Sequence, residues 1–251
     1  MDSSVYMLGR DVLFVHWPVS PDRLRPHIPT QLELDLFDGS AWVSALALEV
    51  ARAHPTAIPL SLTGSFPQLN FRTYVEFGGE SGVYFISLDT GDQLGRILGQ
   101  RAYRLPFQRA QMDFRRRGRD IVFRSRRTEP DAPEARFDVR YRPEGESFSA
   151  QPGSIEEFLI ERHRYYVPAD EPAMDDSDNG TEQMTLTNSD SETSMYIGEI
   201  TRESWELRSA SANIRTNSLF SALGMDTPKE NPLLYYSPEF ETTTGRPELS
   251  H

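Results

Sequence analysis

The stretch LNFRTYVEF, residues 69–77, decides how the chain is understood, because its side chains alternate with a period of two. Leu69, Phe71, Thr73, Val75 and Phe77 would share one face of a β-strand, and Asn70, Arg72, Tyr74 and Glu76 the other. The run meets GGESG, residues 78–82, and returns as VYFISLD, a hairpin whose glycines supply the positive-φ turn positions. The polar face either meets solvent, as one face of an antiparallel sheet commonly does, or looks into a cavity. Arg72 separates the two cases. A shielded guanidinium needs an anion, and its planar fork suits a carboxylate, supplied either by the protein across the sheet or by a bound small acid.

On either side of this hairpin the pattern is mostly strands. LFVHWPV (13–19) predicts a strand, and Ser20 with Pro21 opens a short helix. LELDLFDGSAWVSALALEV (32–50) predicts two strands around an Asp38-Gly39 turn. RAHPTAIPLSLTGSFP (52–67) is rich in proline and is expected as a long loop. DQLGRILGQRAYRLPF (92–107) predicts a helix to about Tyr103, ended by Pro106, and AQMDFRRRGRDIVFRSRR (110–127) a hairpin turning near Gly118. GSIEEFLIERHRYYV (153–167) gives the clearest helix pattern: Ser154 as cap, Glu157 closing a capping box, and Ile155, Phe158, Leu159 and Tyr166 as the apolar stripe. Residues 168–195 form a polar, acidic tract expected to be a solvated, flexible insertion. Strands over 195–214, a short helix closing on Gly224 and a last strand, LLYYSPEFE (233–241), complete the chain. The expected class is mainly β (α+β): one antiparallel-β domain over residues 1–251 with a few short helices.

The charge balance narrows the functional classes. Acidic residues number 38 against 26 basic ones, a net charge of −12, and Lys229 is the sole lysine among those 26. An acidic, lysine-poor surface suits a salt-rich cytoplasm, where counterions screen self-repulsion. The same balance argues against a nucleic-acid partner, which needs a positive footprint. There is no cysteine, so disulfides and thiolate chemistry are excluded, in keeping with a cytoplasmic protein. No stretch approaches the ~20 apolar residues of a membrane helix.

Motifs for nucleophilic or metal chemistry are missing. No serine lies in a Gly-x-Ser-x-Gly elbow. The histidines, at 16, 27, 54, 163 and 251, show no ligand spacing, so neither a metal nor a cofactor is expected. His16, on the FVHWP strand, is expected as a hydrogen-bonded core or cavity histidine. The RRRGR run (115–119) is expected as a solvated hairpin tip. What stands out is a set of arginines and aromatics in apolar segments: Arg10, Arg72, Arg96 and Arg101, with Trp17, Trp42, Tyr74 and Tyr84.

Taken together, GRDVLFVHWPVSPDRLRPHIPTQLELDLFDGSAWV, FPQLNFRTYVEFGGESGVYFISLD, RLPFQRAQM, SIEEFLIERHRYYV and PLLYYSPEFE resemble the YqjF-like family of uncharacterised proteins, in order from about residue 9 to 241. More distantly the family is similar to acetoacetate decarboxylase. That resemblance implies a cone-shaped antiparallel β-barrel whose interior holds the substrate, and commonly a homo-oligomer. It implies that Gln68, Arg72 and Tyr74 point inward. It also places the decarboxylase's substrate-site arginine near Arg10 and its pocket glutamate near Gln68. The decarboxylase works through a lysine directly after an aromatic-Pro step. The matching step here is Leu105-Pro106, followed by Phe107 and Gln108, so imine chemistry is not expected. Where the family tends to show His-x-Pro-Trp, this chain has Arg202, Ser204 and Trp205. Each departure removes a titratable group. The expected function is therefore binding of a small organic ligand, apolar or carboxylate-bearing, by Arg10, His16, Gln68, Arg72, Tyr74, Tyr84 and Arg101. The alternative is an isomerase- or lyase-type enzyme on a small keto acid or enol, with His16 or Glu161 as base.

Overall fold

Strand β4 (Phe66–Phe77) turns at Gly78 and Gly79, with φ of +61° and +79°, and returns antiparallel as β5 (Glu80–Thr90). The turn residues are the two glycines alone, and Phe77 pairs with Glu80. Two consecutive positive-φ residues match the right-handed twist of the strands they join. In this computed structural model the described residues are 4–57, 64–169 and 194–250.

The other strands are β1 (Val5–Val19), β2 (Glu33–Leu34), β3 (Ala41–Pro55), β6 (Phe107–Arg117), β7 (Asp120–Arg127), β8 (Arg136–Phe148), β9 (Arg164–Pro168), β10 (Met195–Thr201), β11 (Leu207–Asn217), β12 (Leu233–Thr244) and β13 (Glu248–Ser250). Four short helices accompany them: α1 (Pro21–Leu24), α2 (Gln93–Tyr103), α3 (Ile155–Ile160) and α4 (Leu219–Ala222). The fold is thus mainly β. The ladder runs β5-β6-β7-β8-β11-β12-β1-β3-β4, and β4 pairs back to β5, so the sheet returns on itself. β9 and β10 bridge β5 to β12.

Both faces of the central strands are buried. On β1, β3 and β4, Leu13, Val15, Trp17, Val43, Ala45, Ala47, Leu69, Phe71 and Val75 join one core. Phe220 of α4 closes it, edge-on to Trp17 and Phe71 at ring separations of 5.3 and 5.4 Å. Val12, Phe14, Leu46, Leu48, Val50 and Tyr74 look the other way, into a second core with Leu159 and Ile160 of α3 and Tyr165 of β9. The alternation expected of residues 69–77 therefore holds, and its polar face is not a solvent face.

Two irregularities set the facing. β5 carries an extra residue opposite Phe71/Arg72, so that Phe85 and Leu88 both reach the Arg72 side. In β1 the register shifts around Asp11, whose φ is +50°. Tyr236 OH and Arg116 Nη1 each donate to Asp11 Oδ1 at 2.5 Å, and Tyr141 OH donates to the Asp11 carbonyl at 2.5 Å. These bonds hold a conformation that a non-glycine residue rarely adopts.

Several local expectations are corrected. Arg52–Pro55 extend β3 and Phe66–Pro67 begin β4, so both ends of the expected loop are strand; residues 58–63 lie outside the described residues. The 153–167 segment is helical only over Ile155–Ile160, and Tyr166 lies in β9, because its apolar residues face a sheet rather than continue a helical stripe. Ser154 does cap α3, accepting from Glu157 N at 3.2 Å. α2 ends at Tyr103 as expected, but the stop is Arg104, left-handed at φ +53°, rather than Pro106. β2 pairs with β4 rather than with β3. β13 follows the strand expected to be last. Pro168 and Met195, the expected ends of the acidic insertion, pair with each other across β9 and β10; residues 170–193 lie outside the described residues.

Candidate functional site

The second core is incomplete: it surrounds a cavity of about 440 Å³. Gln68, Asn70 and Arg72 enter it from β4, Leu46 and Leu48 from β3, and Phe85 and Leu88 from β5. α2 lies along one side through Leu94, Gly95, Leu98 and Gly99. Asp92 caps this helix by accepting from Gly95 N at 3.0 Å. Gly99 lets α2 sit directly on β6, since a Cβ there would come within 2.3 Å of the Phe107 ring.

One end of the cavity is built by three arginines that share a single anchor. The carbonyls of Phe158, Leu159 and Ile160, which close α3, accept from Arg162 Nε at 2.6 Å, Arg72 Nη2 at 3.1 Å and Arg202 Nη2 at 2.7 Å. Terminal helix carbonyls have no intrahelical partner and attract cations, so each guanidinium both satisfies and is held by the helix end. Arg162 and Arg202 also meet carboxylates, Asp35 and Glu161, each at 2.6 Å. Glu161 is further held by the backbone N–H of Trp205 at 3.0 Å. Burial lowers the Arg202 pKa, Glu161 opposes this, and the nearby charge of Arg72 lowers it further.

Arg72 differs from its two neighbours. Among the described residues no carboxylate lies within 4.0 Å of it, and its Nε is buried without an acceptor. Only 8% of Arg72 is exposed. The indole Nε1 of Trp205, on the same cavity wall, is likewise buried without an acceptor. A cation and two N–H donors are thus unmatched in the walls of one apolar cavity.

Behind Arg72 runs a closed hydrogen-bond chain. Tyr74 OH donates to the Leu159 carbonyl at 2.7 Å, the acceptor that Arg72 also uses. With its one hydrogen committed, the Tyr74 oxygen accepts from Ser44 Oγ at 2.6 Å, and Ser44 in turn accepts from His16 Nδ1 at 2.6 Å. The chain therefore assigns the proton of His16 to Nδ1. Nε2 is left as a buried lone pair with no donor. Burial, and then the charge of Arg72, hold the His16 pKa well below its usual value, so the ring is neutral.

Of the residues expected in the site, Gln68 and Arg72 line the cavity, and Tyr74 and His16 lie directly behind Arg72. Gln68 Nε2 donates to Asn70 Oδ1 at 2.7 Å. The other three lie away from it. Arg10 is turned outward by the Asp11 bulge and pairs with Glu239 at 2.7 Å, both side chains half exposed. Tyr84 pairs with Thr73 and packs against the first core, on the opposite face of the sheet. Arg101 is exposed on α2. Glu161, the alternative base, is engaged by Arg202 and Trp205. Arg162 and Trp205 enter the site without having been expected there. Arg162 was hidden because the FLIERHRYYV pattern suggested an unbroken helix; Trp205 and Arg202 were marked only by their place in the His-x-Pro-Trp position.

No group of three His, Cys, Asp or Glu side chains suited to a metal occurs among the described residues. No helix among them is long and apolar enough to cross a membrane.

By sequence comparison the chain falls in a defined family. It belongs to the DUF2071 family, described as an uncharacterized conserved protein, which matches residues 7–241. A relative within reach of sequence comparison is the uncharacterized protein YqjF of Bacillus subtilis (strain 168), 35% identical over 230 residues, or 90% of this chain and 84% of YqjF. Among solved structures the fold is similar to acetoacetate decarboxylase from Legionella pneumophila, with a TM-score of 0.61 and 12% identity over 100% of this chain and 88% of that one. It is also similar to the enduracididine biosynthesis enzyme MppR complexed with pyruvate, with a TM-score of 0.62 and 12% identity over 99% and 91% of the two chains. At that identity the likeness is one of fold.

Proposed function

We propose that the chain binds a small organic acid in this cavity, the closed ladder forming a cone-shaped barrel around it and Arg72 receiving the carboxylate. The observation that carries this reading is the charge of Arg72: it is shielded from water, faces the cavity and has no carboxylate partner among the described residues. Burying an unpaired cation is costly, and a ligand carboxylate that accepts from its guanidinium offsets that cost. Trp205 Nε1 is a second donor without an acceptor. MppR, of similar fold, is a complex with pyruvate, which is in keeping with an acid in such a cavity.

A lysine imine has no support. Phe107, the residue after Pro106, lines the cavity, and Lys229 is exposed and is not part of its lining. The enzymatic alternative rests on one feature, the unpartnered Nε2 lone pair of neutral His16, which is a base in want of a proton donor. Glu161 is committed to Arg202 and is not a free base. Cytoplasmic location, adaptation to high salt, a single domain over 1–251 and homo-oligomer formation belong to the same proposal. Isothermal titration of the full chain with acetate, pyruvate and longer carboxylates tests the reading. Binding that disappears in Arg72→Met supports it; binding unchanged by that substitution overturns it.

A further inference from the structure

The three arginines at the closed end differ in how many negative charges they can still accept. Arg162 and Arg202 are neutralised by Asp35 and Glu161, which among the described residues leaves Arg72 as the unmatched cation of this end. A ligand head group with one negative charge matches that end; a dianion would leave one charge buried without a partner.

Away from that end the wall is apolar. Val12, Leu46, Leu48, Phe85, Leu88 and Phe240 face the cavity, with few polar atoms between them. The cavity, about 440 Å³, carries polar groups at Gln68, Asn70, Thr90, Asp92 and Thr242, but most of its surface is apolar. The volume also exceeds what a three-carbon acid requires, and falls in the ~300–1,000 Å³ range of sites for larger ligands.

The rim of the cavity repeats this chemistry. Leu94 and Leu98 of α2 line the cavity yet remain 63% and 44% exposed, so they stand at its opening, with exposed Ile97 between them in sequence. Large exposed aliphatic side chains at consecutive turns of one short helix cost solvation in the free protein, and an apolar chain leaving the cavity beside them would cover them.

Building on the carboxylate reading above, we propose that the ligand is an amphiphile: a monocarboxylic acid whose head group meets Arg72 and whose aliphatic chain fills the apolar wall and emerges beside Leu94 and Leu98.

The test is isothermal titration of the full chain with n-alkanoates from acetate to decanoate and with the n-alkanols of matching length. The association constant is expected to rise about fourfold per methylene between butanoate and octanoate, the value of one buried CH₂. Each alkanol should bind at least tenfold more weakly than its acid. Arg72→Met should remove that difference while leaving alkanol binding intact, which also shows that the variant is folded. Leu94→Ser with Leu98→Ser should weaken decanoate several-fold and leave butanoate unchanged. If acetate or pyruvate binds as tightly as octanoate, the amphiphile inference is overturned while the carboxylate reading stands. If alkanols equal alkanoates in the wild type, the carboxylate reading is overturned and only an apolar cavity remains. Absence of binding for every probe overturns both.

Discussion

Arg72 and Tyr74, two residues apart on β4, donate to the same oxygen, the Leu159 carbonyl at the end of α3, at 3.1 and 2.7 Å. The side-chain period of two brings them to one face, and the helix end fixes both. Through Ser44 this junction extends to His16, so the position of the buried cation and the tautomer of the buried imidazole are set by one network.

That junction makes Tyr74→Phe informative. The change keeps the ring against Phe158 and removes the link between Leu159 and Ser44. Stability should fall by about 1–3 kcal/mol, the cost of leaving a buried polar partner unsatisfied. Urea unfolding measures it, and a change below ~0.5 kcal/mol would mean that the chain of bonds does not form.

Arg202 and Arg72 should respond in opposite ways to loss of charge. Arg202→Met strands Glu161, whose side chain is 13% exposed, and should cost about 3–5 kcal/mol. Arg72→Met strands no carboxylate among the described residues and should leave stability unchanged or raise it. Equal losses in denaturant unfolding would show that Arg72 has a partner within the protein.

His16 predicts a pH dependence of known sign. Its pKa in the folded chain is depressed, by burial first and by Arg72 second, whereas in the unfolded chain it titrates near 6.5. Below that value unfolding takes up a proton, so stability falls with decreasing pH, by about 1.4 kcal/mol per unit from this group, and is unaffected by it above. His16→Asn lacks the titrating ring and should lose that part of the slope. Unfolding free energies of both chains at pH 5, 6 and 7.5 decide it; parallel slopes would place a charged imidazole in the core.

The charge of −12 predicts a salt response. Screening of self-repulsion should raise the thermal midpoint between about 0.1 M and 2 M NaCl. Equal or greater stability in the dilute salt would remove the case for adaptation to a salt-rich cytoplasm.

What was legible in the sequence followed from local periodicity. The alternation over 69–77 put Asn70, Arg72 and Tyr74 on one face, and that face is the cavity side. Arg10 was placed in the site by the likeness to the decarboxylase, and strict alternation back from His16 through Phe14 and Val12 would also point it inward. The bulge at Asp11 breaks that parity, and its causes, Tyr141, Tyr236 and Arg116, are more than a hundred residues away. Tyr84 failed for a simpler reason. With a two-residue Gly78-Gly79 turn the register pairs Tyr84 with Thr73, on the other face; only a longer turn leaves its face open. Arg162 and Arg202 were not legible as neighbours of Arg72, since what gathers them is the end of a six-residue helix whose sequence pattern suggests a longer one.

The central claim is that the charge of Arg72 is completed by a ligand. Thermal unfolding of the wild type and of Arg72→Met, each with and without millimolar octanoate, tests it most directly. Without ligand the variant should melt at or above the wild-type midpoint, since no carboxylate among the described residues is stranded, and octanoate should raise the wild type further than the variant. A variant that melts ~6 °C or more below the wild type without ligand, with both chains raised equally by octanoate, would contradict it.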